Sequence, residues 1–471
     1  MQRARLGSLT LLACAPLWLA SACSRTSEYE LLAGKACASS ADCIGGYVCD
    51  AAASVCVRPG YALTSDEIGD DPLGSGGDAA TNTGGAGASS GGAGGTAGSA
   101  GASGGTAGDG APDAGGTGSS DAGSPASWRV ISAPPLGFVA RQKAAYAVAG
   151  DKVFIWGGVD ALGLDLSTGA IYDLTHDTWQ LTSVTGSTPL GRVLANAAWT
   201  GSQFLVWGGR TDLGNSEYKD GALYDPQTQT WTPTANLQTA RSGALTLAYS
   251  AQVLVWGGWS RTGTVLDKAS RYSVAGDSWT LATGDVLGKR EHIGWATNGS
   301  QLFVVGGRSN LGALLDTAAV YEMGTNSWTA QPTLPSARFG LFGAHDGTQF
   351  WVWGGRDDQQ ALGSGMVLGA SQWSATASQG EPSARWAPQR QSGWTCTLHD
   401  GRFALSGGHD FADAPQHDGG VYDPATDSWA AIPSASQDHE WGVGVCVDGE
   451  LLLWGGTNGG SVTASGERWA P

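Results

Sequence analysis

The stretch QFLVWGGRTD, from Gln203 to Asp212, is an apolar run that ends in two glycines and is followed at once by a charged residue. Near-copies recur as KVFIWGGVD, QVLVWGGWS, QLFVVGGRS, QFWVWGGRD, RFALSGGHD and ELLLWGGTN. The first glycine of each pair stands at position 157, 208, 257, 306, 354, 407 or 455, so the interval is 48 to 53 residues. Seven copies at this period indicate a repeat architecture, in which each unit buries its apolar faces by packing on its neighbours.

Two aromatic positions keep step with the glycine pairs. In five units a tyrosine follows the second glycine by 14 or 15 residues, and a tryptophan comes 7 residues later. The residues are Tyr172, Tyr224, Tyr272, Tyr321 and Tyr422, with Trp179, Trp231, Trp279, Trp328 and Trp429. This pattern resembles the kelch repeat over about 340 residues. The resemblance implies an all-β fold, a seven-bladed kelch β-propeller.

The residues of one unit agree with a four-stranded blade. Four short apolar stretches separated by turns predict strands A to D, at 144–148, 153–156, 169–172 and 178–181 in the first unit. Asp-Gly pairs, as at 346–347, suit tight A–B turns because they tolerate positive φ. The tryptophan of each strand D is predicted to pack between blades.

The two ends of the repeat region predict how the ring closes. The last unit ends in SGERWAP, which leaves no residues for a strand D, whereas SPASWRVISAPP carries Trp128 ahead of the first complete unit. We therefore expect a propeller domain at 127–471 whose N-terminal strand completes blade seven. Closure of this kind removes an exposed sheet edge.

The first 22 residues have the features of a signal peptide. Two arginines precede an apolar run from Leu6 to Ala20, which is too short for a typical membrane span. The following LASAC resembles the lipobox of bacterial lipoproteins, which implies a lipid-anchored segment at 23–36 with Cys23 lipidated. An A-x-A site just before Cys23 also fits an ordinary signal peptidase. The expected location is the outer membrane or cell surface, with the periplasm or secretion as alternatives.

A cysteine-rich motif at 37–56 and a linker at 57–126 separate this leader from the propeller. The motif holds Cys37, Cys43, Cys49 and Cys56. So small a segment buries little core, so two disulfides are expected, with three possible pairings. Zinc is the rival interpretation, but the motif has neither a C-x-x-C pair nor a nearby His. It resembles Cys-rich motifs near the start of exported myxobacterial proteins, and the Gly/Ala/Ser-rich linker predicts a flexible tether.

Composition and motif content argue against several functions. Charged residues make up 14% of the chain and the net charge is -17, which disfavours binding to nucleic acid. The seven His are scattered, there is no H-E-x-x-H motif, and nothing marks a nucleophile. We therefore predict no catalytic residue, no metal and no cofactor. Copper radical oxidases share the kelch propeller, but no pattern here matches their Cys-crosslinked Tyr with two His.

Strand topology indicates which face carries a binding site. Neighbouring strands run antiparallel, so strands A begin and strands B end on one rim, here called the upper rim, which also carries the B–C and D–A loops. The A–B and C–D turns lie on the opposite, lower rim. The upper loops vary in length, and the D–A loop around EPSARWAPQRQ is enlarged. Variable loops on a rigid scaffold are where binding residues usually lie.

Two layers of residues are predicted at the upper rim. The first layer, 16 residues before each glycine pair, consists of Arg141, Arg192, Arg241, Arg290, Arg338, Gln391 and His439. The second layer, directly after each pair, consists of Val159, Arg210, Trp259, Arg308, Arg356, His409 and Thr457. The kelch resemblance implies ligand contacts at both positions.

The arginines and aromatic residues of this rim have two interpretations each. The arginines either grip carboxylates or acidic sugars through paired N–H groups, or pair with acids on neighbouring blades. The candidate acids are Asp160, Asp212, Asp357, Asp358 and Asp410. Aromatic residues near the rim either stack on sugar rings or pack within the loops; they are Trp259, Phe339, Trp386 and Trp441.

Two cysteines fall inside the propeller. Cys396 and Cys446 lie 11 and 9 residues before their glycine pairs, in strands A of adjacent blades. They form either a disulfide between blades six and seven, if their Cα atoms lie within about 7 Å, or two buried thiols.

The function that these features favour is an envelope-anchored binding module that recognises a protein or glycan through an Arg-rich rim. A carbohydrate-active enzyme of the epimerase or oxidase type, working in the axial pocket, is the alternative, because kelch propellers include such enzymes. An architectural envelope protein is a second alternative.

Overall fold

A computed structural model describes residues 48–50, 55–57, 127–213, 216–237, 239–282, 286–388 and 392–471. Backbone contacts divide the chain into two units, Met1–Gly118 and Ser119–Pro471. In the first unit, strands Val48–Asp50 and Val55–Val57 form an antiparallel hairpin that sets the backbone of Cys49 opposite that of Cys56. The predicted signal peptide, lipidation site, disulfides of the cysteine-rich motif and linker otherwise lie outside the described residues.

The second unit consists of seven four-stranded antiparallel sheets, each in the order A-B-C-D. Strands A are Ala145–Ala149, Asn196–Trp199, Leu245–Tyr249, Gly294–Thr297, Phe339–His345, Gly393–Thr397 and Val443–Val447. Strands B are Lys152–Trp156, Phe204–Trp207, Gln252–Trp256, Gln301–Val305, Phe350–Arg356, Phe403–Gly407 and Glu450–Trp454. Strands C are Gly169–Asp173, Gly221–Asp225, Ala269–Ser273, Ala318–Glu322, Gly365–Leu368, Gly419–Asp423 and Gly466–Trp469. Strands D are Thr178–Leu181, Thr230–Pro233, Ser278–Leu281, Ser327–Gln331, Trp373–Ala375, Ser428–Ile432 and, for blade seven, Arg129–Val130.

The sheets form the predicted seven-bladed propeller, and the strands predicted in the first unit are confirmed to within one residue. Strand B is the most apolar because blades cover both of its faces; from Val153 to Trp156 every residue is buried. Two further pairs of two-residue strands lie in upper-rim loops, Arg290–Glu291 with Arg308–Ser309 and Thr457–Asn458 with Ser461–Val462.

Blade seven closes the ring as predicted. Its outer strand, Arg129–Val130, comes from the N-terminal end of the domain and pairs with Gly466–Trp469. Blade seven also shares a hydrophobic core with blade one, in which Ile131 and Val443 pack with Val153. Both ends of the domain are thereby fixed in one sheet, which leaves no open stack of blades.

The strand D tryptophans join neighbouring blades. The indole N–H of Trp179 donates to the carbonyl of Ser132, 2.9 Å away, and Trp279 donates to Ala235 in the same way. Equivalent bonds run from Trp128, Trp231, Trp373 and Trp429 to Pro433, Ser183, Pro332 and Ala377. The predicted packing role is confirmed, and in these six blades a hydrogen bond between blades accompanies it, whereas Trp328 of blade four packs against Trp256 without one.

A disulfide also joins two blades on the inner wall. The sulfur atoms of Cys396 and Cys446 are 2.08 Å apart and their Cα atoms 4.7 Å apart, so the disulfide alternative describes this pair. Within the described residues, no helix has the length and apolar character needed to cross a membrane.

Candidate functional site

The glycine pair shapes the upper rim by letting backbones approach closely. Gly157 and Gly158 have φ of 73° and 88°, which favours glycine. A Cβ on Gly157 would lie 2.8 Å from the carbonyl oxygen of Arg192 in the next blade, and one on Gly158 would lie 2.6 Å from that of Gln142. Strand B therefore ends against the segments that lead into strands A of its own blade and of the next one, and the following residue leaves the sheet at the rim.

The first-layer arginines lie inside the blades. Arg141 is 1% exposed, and its Nη1 donates to the carbonyls of Gly157 and Thr168, at 3.1 and 2.8 Å. Each equivalent arginine donates both to the first glycine of its own pair and to the residue before strand C. The pairs of acceptors are Gly208 and Asp220, Gly257 and Lys268, Gly306 and Thr317, and Gly354 and Ser364, for Arg192, Arg241, Arg290 and Arg338.

The structure corrects the expectation that this layer is accessible. The five arginines are at most 4% exposed, and burial lowers the pKa of Arg141 to about 9 and that of Arg241 to about 10, against attraction from nearby carboxylates. Their main acceptors are carbonyls of their own blade rather than acids of the next one. These guanidinium groups brace the B–C crossover: without Arg141 the Gly157 carbonyl would lose its donor, and the Thr168 carbonyl would keep only the Gly157 N–H at 3.0 Å.

In blades six and seven other residues complete the layer. Arg385, 22 residues before Gly407, donates to the carbonyls of Gly407 and Asp418 and holds the place that spacing assigned to Gln391. Gln391 lies outside the described residues. His439 is 0% exposed; its Nδ1 lies 2.9 Å from the Gly455 carbonyl, and its Nε2 lies 3.3 Å from Oε1 of buried Glu467.

The second layer divides into buried and accessible members. Val159 and Thr457 are buried, and so is His409, whose Nε2 lies 3.2 Å from Oε1 of Glu440. Trp259 is half-buried and donates to Glu291 at 2.9 Å. Three half-buried arginines remain, which are Arg210, Arg308 and Arg356.

Arg308 and Arg356 belong to one cluster with aromatic side chains. The Cζ atoms of both lie over the ring of Phe339, at 5.0 and 5.6 Å from its centroid. Arg356 also lies 4.9 Å from the ring of Trp386 and 4.6 Å from that of Phe411. We call these five residues the arginine–aromatic cluster. Sequence reasoning named four of them and missed Phe411, which is 43% exposed at the tip of a B–C loop.

One arginine of this cluster forms an ion pair with an exposed acid. Arg308 forms an ion pair with Asp358 of the next blade at 2.7 Å, and the Asp358 side chain is 60% exposed. This pair matches the interpretation in which rim arginines bind acids of neighbouring blades. A lysine makes the same kind of contact between blades elsewhere on the rim, since Lys143 and Asp212 form an ion pair, also at 2.7 Å. Arg356 donates its Nε to the carbonyl of Asp357 at 3.3 Å.

A series of five backbone hydrogen bonds among the described residues borders the mouth of the axial channel. It joins the residues two positions after the first layer, most of which have positive φ. These seven positions have no residue type in common. They are occupied by Lys143, Leu194, Gly243, His292, Gly340, Ala387 and Trp441. Leu194 N donates to Lys143 O at 3.0 Å, and equivalent bonds link Lys143 to Trp441, Gly243 to Leu194, Gly340 to His292 and Ala387 to Gly340.

Below this mouth lies a cavity of about 640 Å³. It is lined by residues from all seven strands A and from segments that precede them. Glu291 and His292 stand at its upper end, with Glu291 Oε1 3.9 Å from His292 Nε2. Burial is the main cause that lowers the pKa of His292, and Glu291 acts in the opposite direction. Among the described side chains, no group of three or more His, Cys, Asp or Glu is placed to hold a metal ion.

Comparison with known proteins agrees with the repeat pattern. Residues 142–339 match the family model described as the KLHDC2/KLHL20/DRC7 Kelch-repeats domain. A solved structure described as "Structure of YjhT" is 14% identical, covers 64% of this chain and 99% of its own, and gives a TM-score of 0.48. No curated protein matches the chain. The family match at 142–339, together with the seven sheets, shows that the chain contains a kelch-repeat β-propeller domain.

Proposed function

We propose that the propeller is a binding module that recognises an acidic protein or glycan at the arginine–aromatic cluster of its upper rim. The observation that carries the proposal is the setting of Arg356. Three aromatic rings contact its guanidinium group. Its Nε donates to the Asp357 carbonyl, and no described residue accepts a hydrogen bond from its two terminal nitrogens. A guanidinium fixed by its faces presents its N–H edge to a carboxylate with little further loss of conformational freedom.

Arg308 supports the same assignment. Its partner Asp358 is largely exposed, and an exposed ion pair stabilises a protein by only about 0–1 kcal/mol. A ligand carboxylate can therefore replace Asp358 at small cost. Phe339 and Trp386 are buried beneath the two guanidinium groups, so the cluster has a rigid base.

We further propose that the leader and linker present this module on the cell envelope. Lipidation at Cys23 would anchor the chain, and residues 57–126 would tether the propeller at a distance from the membrane. The sequence features that support this are the LASAC stretch and the Gly/Ala/Ser composition of the linker.

The test compares a double variant, R308A with R356A, with the matched control R210A, which removes a second-layer arginine outside the cluster. The probes are a glycan array with neutral and uronic-acid glycans and a biotinylated oligoglutamate peptide. Binding of an acidic probe should fall about tenfold or more in the double variant, because two charge-assisted contacts are lost. The control should bind as the unaltered protein does. Equal binding by the double variant, or no acidic probe bound at all, would refute the proposal.

The enzyme alternative is favoured by one observation, the acid–base pair of Glu291 and His292 at the upper end of the cavity. A lowered His292 pKa suits a general base, and the Glu291 carboxyl group can act as its acid partner when it carries a proton. Proton exchange at the anomeric or adjacent carbon of sugars, followed by NMR in deuterated water, tests this. Exchange that E291Q abolishes would support an epimerase; its absence with every sugar tried would reject one.

A further inference from the structure

The lower part of the axial cavity has a different chemistry from the upper rim. Consecutive residues of strands A line the cavity, but half-buried residues alternate with buried ones, with buried His345 as the exception. The less buried positions, two residues apart, form two layers. The upper layer consists of the strand A residues that pair, across the sheet, with the strand B residue two positions before each glycine pair. These residues are Tyr146, Ala197, Thr246, Trp295, Gly343, Thr395 and Gly444. The lower layer, two residues on, is Val148, Trp199, Ala248, Thr297, His345, Thr397 and Cys446.

Neither layer contains a charged side chain. The charged residues that line the cavity are Arg290 and Glu291, both above the two layers. Arg290 directs its Nη1 to the carbonyls of Gly306 and Thr317 in its own blade. A charged ligand group in these layers would lose its hydration without gaining a partner, so the walls favour an uncharged ligand.

The layers instead offer aromatic faces and hydroxyl oxygens. Tyr146, Trp295 and Trp199 are half-buried and line the cavity from blades one, four and two. The hydroxyls of Thr395 and Thr397 donate to the carbonyls of Gly343 and His345, at 2.8 and 3.1 Å. Their hydrogens are thus engaged, and their lone pairs remain as acceptors on the channel wall.

His345 supplies the complementary donor. It is 8% exposed, lines the cavity, and packs against Phe303 with ring centroids 4.7 Å apart and the ring planes tilted by 34°. Its Nδ1 accepts a hydrogen bond from the Gly347 N–H at 2.8 Å, which fixes the neutral ring as the tautomer with hydrogen on Nε2. No described residue accepts from this Nε2, so the donor is available to a ligand in the channel.

We infer that these layers form a second binding site, distinct from the arginine–aromatic cluster, for one or two rings of a neutral saccharide. Sugar C–H faces pack on indole and phenol rings, and sugar hydroxyls both donate to Thr oxygens and accept from His345. The cavity volume of about 640 Å³ falls within the ~300–1,000 Å³ typical of small-molecule sites. This site does not depend on the proposed acidic ligand of the rim.

The test uses the propeller at 119–471 alongside the full chain, with a panel of neutral methyl glycosides and their disaccharides as probes. Saturable binding is measured by isothermal titration calorimetry and by saturation-transfer NMR. Loss of the Trp199 or His345 side chain should weaken binding about tenfold each, as about 1.4 kcal/mol of lost contact predicts. H345Q, which keeps a side-chain donor, should recover part of the loss.

Controls separate this site from the rim and from misfolding. The R308A/R356A variant should bind neutral glycosides normally, and W199F should retain both the fold and most of the binding. Circular dichroism and the melting temperature show whether W199A and H345A are folded. No saturable binding of any neutral glycoside, or binding that the folded W199A and H345A variants leave unchanged, overturns the inference.

Discussion

The two arginine layers of the upper rim lie close together yet differ in role. Arg192 is 0% exposed and donates to Gly208 and Asp220 of its own blade. Arg356 is half-buried and rests among aromatic rings, and no described residue accepts a hydrogen bond from its terminal nitrogens. Five copies of an arginine at one repeat position therefore report a requirement of the fold, whereas the less regular layer carries the candidate site.

The largest effect is expected from the buried layer. R141M should lower the free energy of unfolding by about 3 kcal/mol, because the Gly157 carbonyl loses its donor and the Thr168 and Val139 carbonyls each lose a charge-assisted hydrogen bond. Urea unfolding followed by tryptophan fluorescence measures this. R141K, which keeps the charge but not the planar fork, should recover only part of the loss. A loss below about 1 kcal/mol for R141M would show that this layer is not structural.

Blade seven offers a natural variant of the same brace. His439 replaces the arginine, contacts the Gly455 carbonyl and faces Glu467, which accepts from the Ser436 N–H. H439A should cost about 2 kcal/mol, since it leaves a buried carboxylate and a carbonyl without this partner. H439R should be close to the unaltered protein in urea unfolding. If H439R is as unstable as H439A, blade seven has its own packing solution and the comparison between blades fails.

Acid should affect the two rims differently. On the lower rim, partial burial acts to raise the pKa of Asp177, but hydrogen bonds from Tyr172 and from the Ser132 N–H lower it overall. A depressed folded pKa means that this stabilisation is present above about pH 4, the unfolded value, and is lost as the pH falls through the folded pKa. The arginine-to-carbonyl bonds of the upper rim do not titrate in this range.

The measurement that separates these contributions is the melting temperature at pH 7 and pH 3. D177N should be less stable than the unaltered protein at pH 7, and the difference should shrink at pH 3. R141M should melt below the unaltered protein by a similar margin at both pH values. If the difference in melting temperature between D177N and the unaltered protein is the same at both pH values, Asp177 does not contribute to acid sensitivity.

Most of the fold could be predicted from the sequence because the repeat makes each blade evidence for the others. The glycine pairs count the blades, and the displaced Trp128 indicates how the ring closes. The direction of the first-layer side chains could not be read from spacing, because a rim position and a brace inside the blade share the same period. Only the B–C crossover, with its two carbonyls, decides between them.

Blade six shows where a fixed residue spacing fails to locate the first-layer residue. It also shows a local sequence match that locates this residue. The segment between the brace and the glycine pair is longer there, so a count of 16 reached Gln391 instead of Arg385. Ser-Ala-Arg followed by an aromatic residue occurs at both Arg338-Phe339 and Arg385-Trp386, and this local match would have found the right position. The hydrogen-bonded mouth of the channel has no such signal, because backbone groups form it and its residue types vary.

The smallest effect on stability is expected from the accessible layer, and it decides how the rim is understood. R356A should change the free energy of unfolding by only about 0.5–1 kcal/mol, the value of partly exposed cation–π contacts, and R308A by a similar amount. Urea unfolding of both variants beside R141M provides the measurement. If R356A lowers the free energy of unfolding as much as R141M does, the arginine–aromatic cluster is a second structural brace. Its guanidinium would then be committed to the fold, and the case for an acidic ligand at this cluster would lose the observation on which it depends.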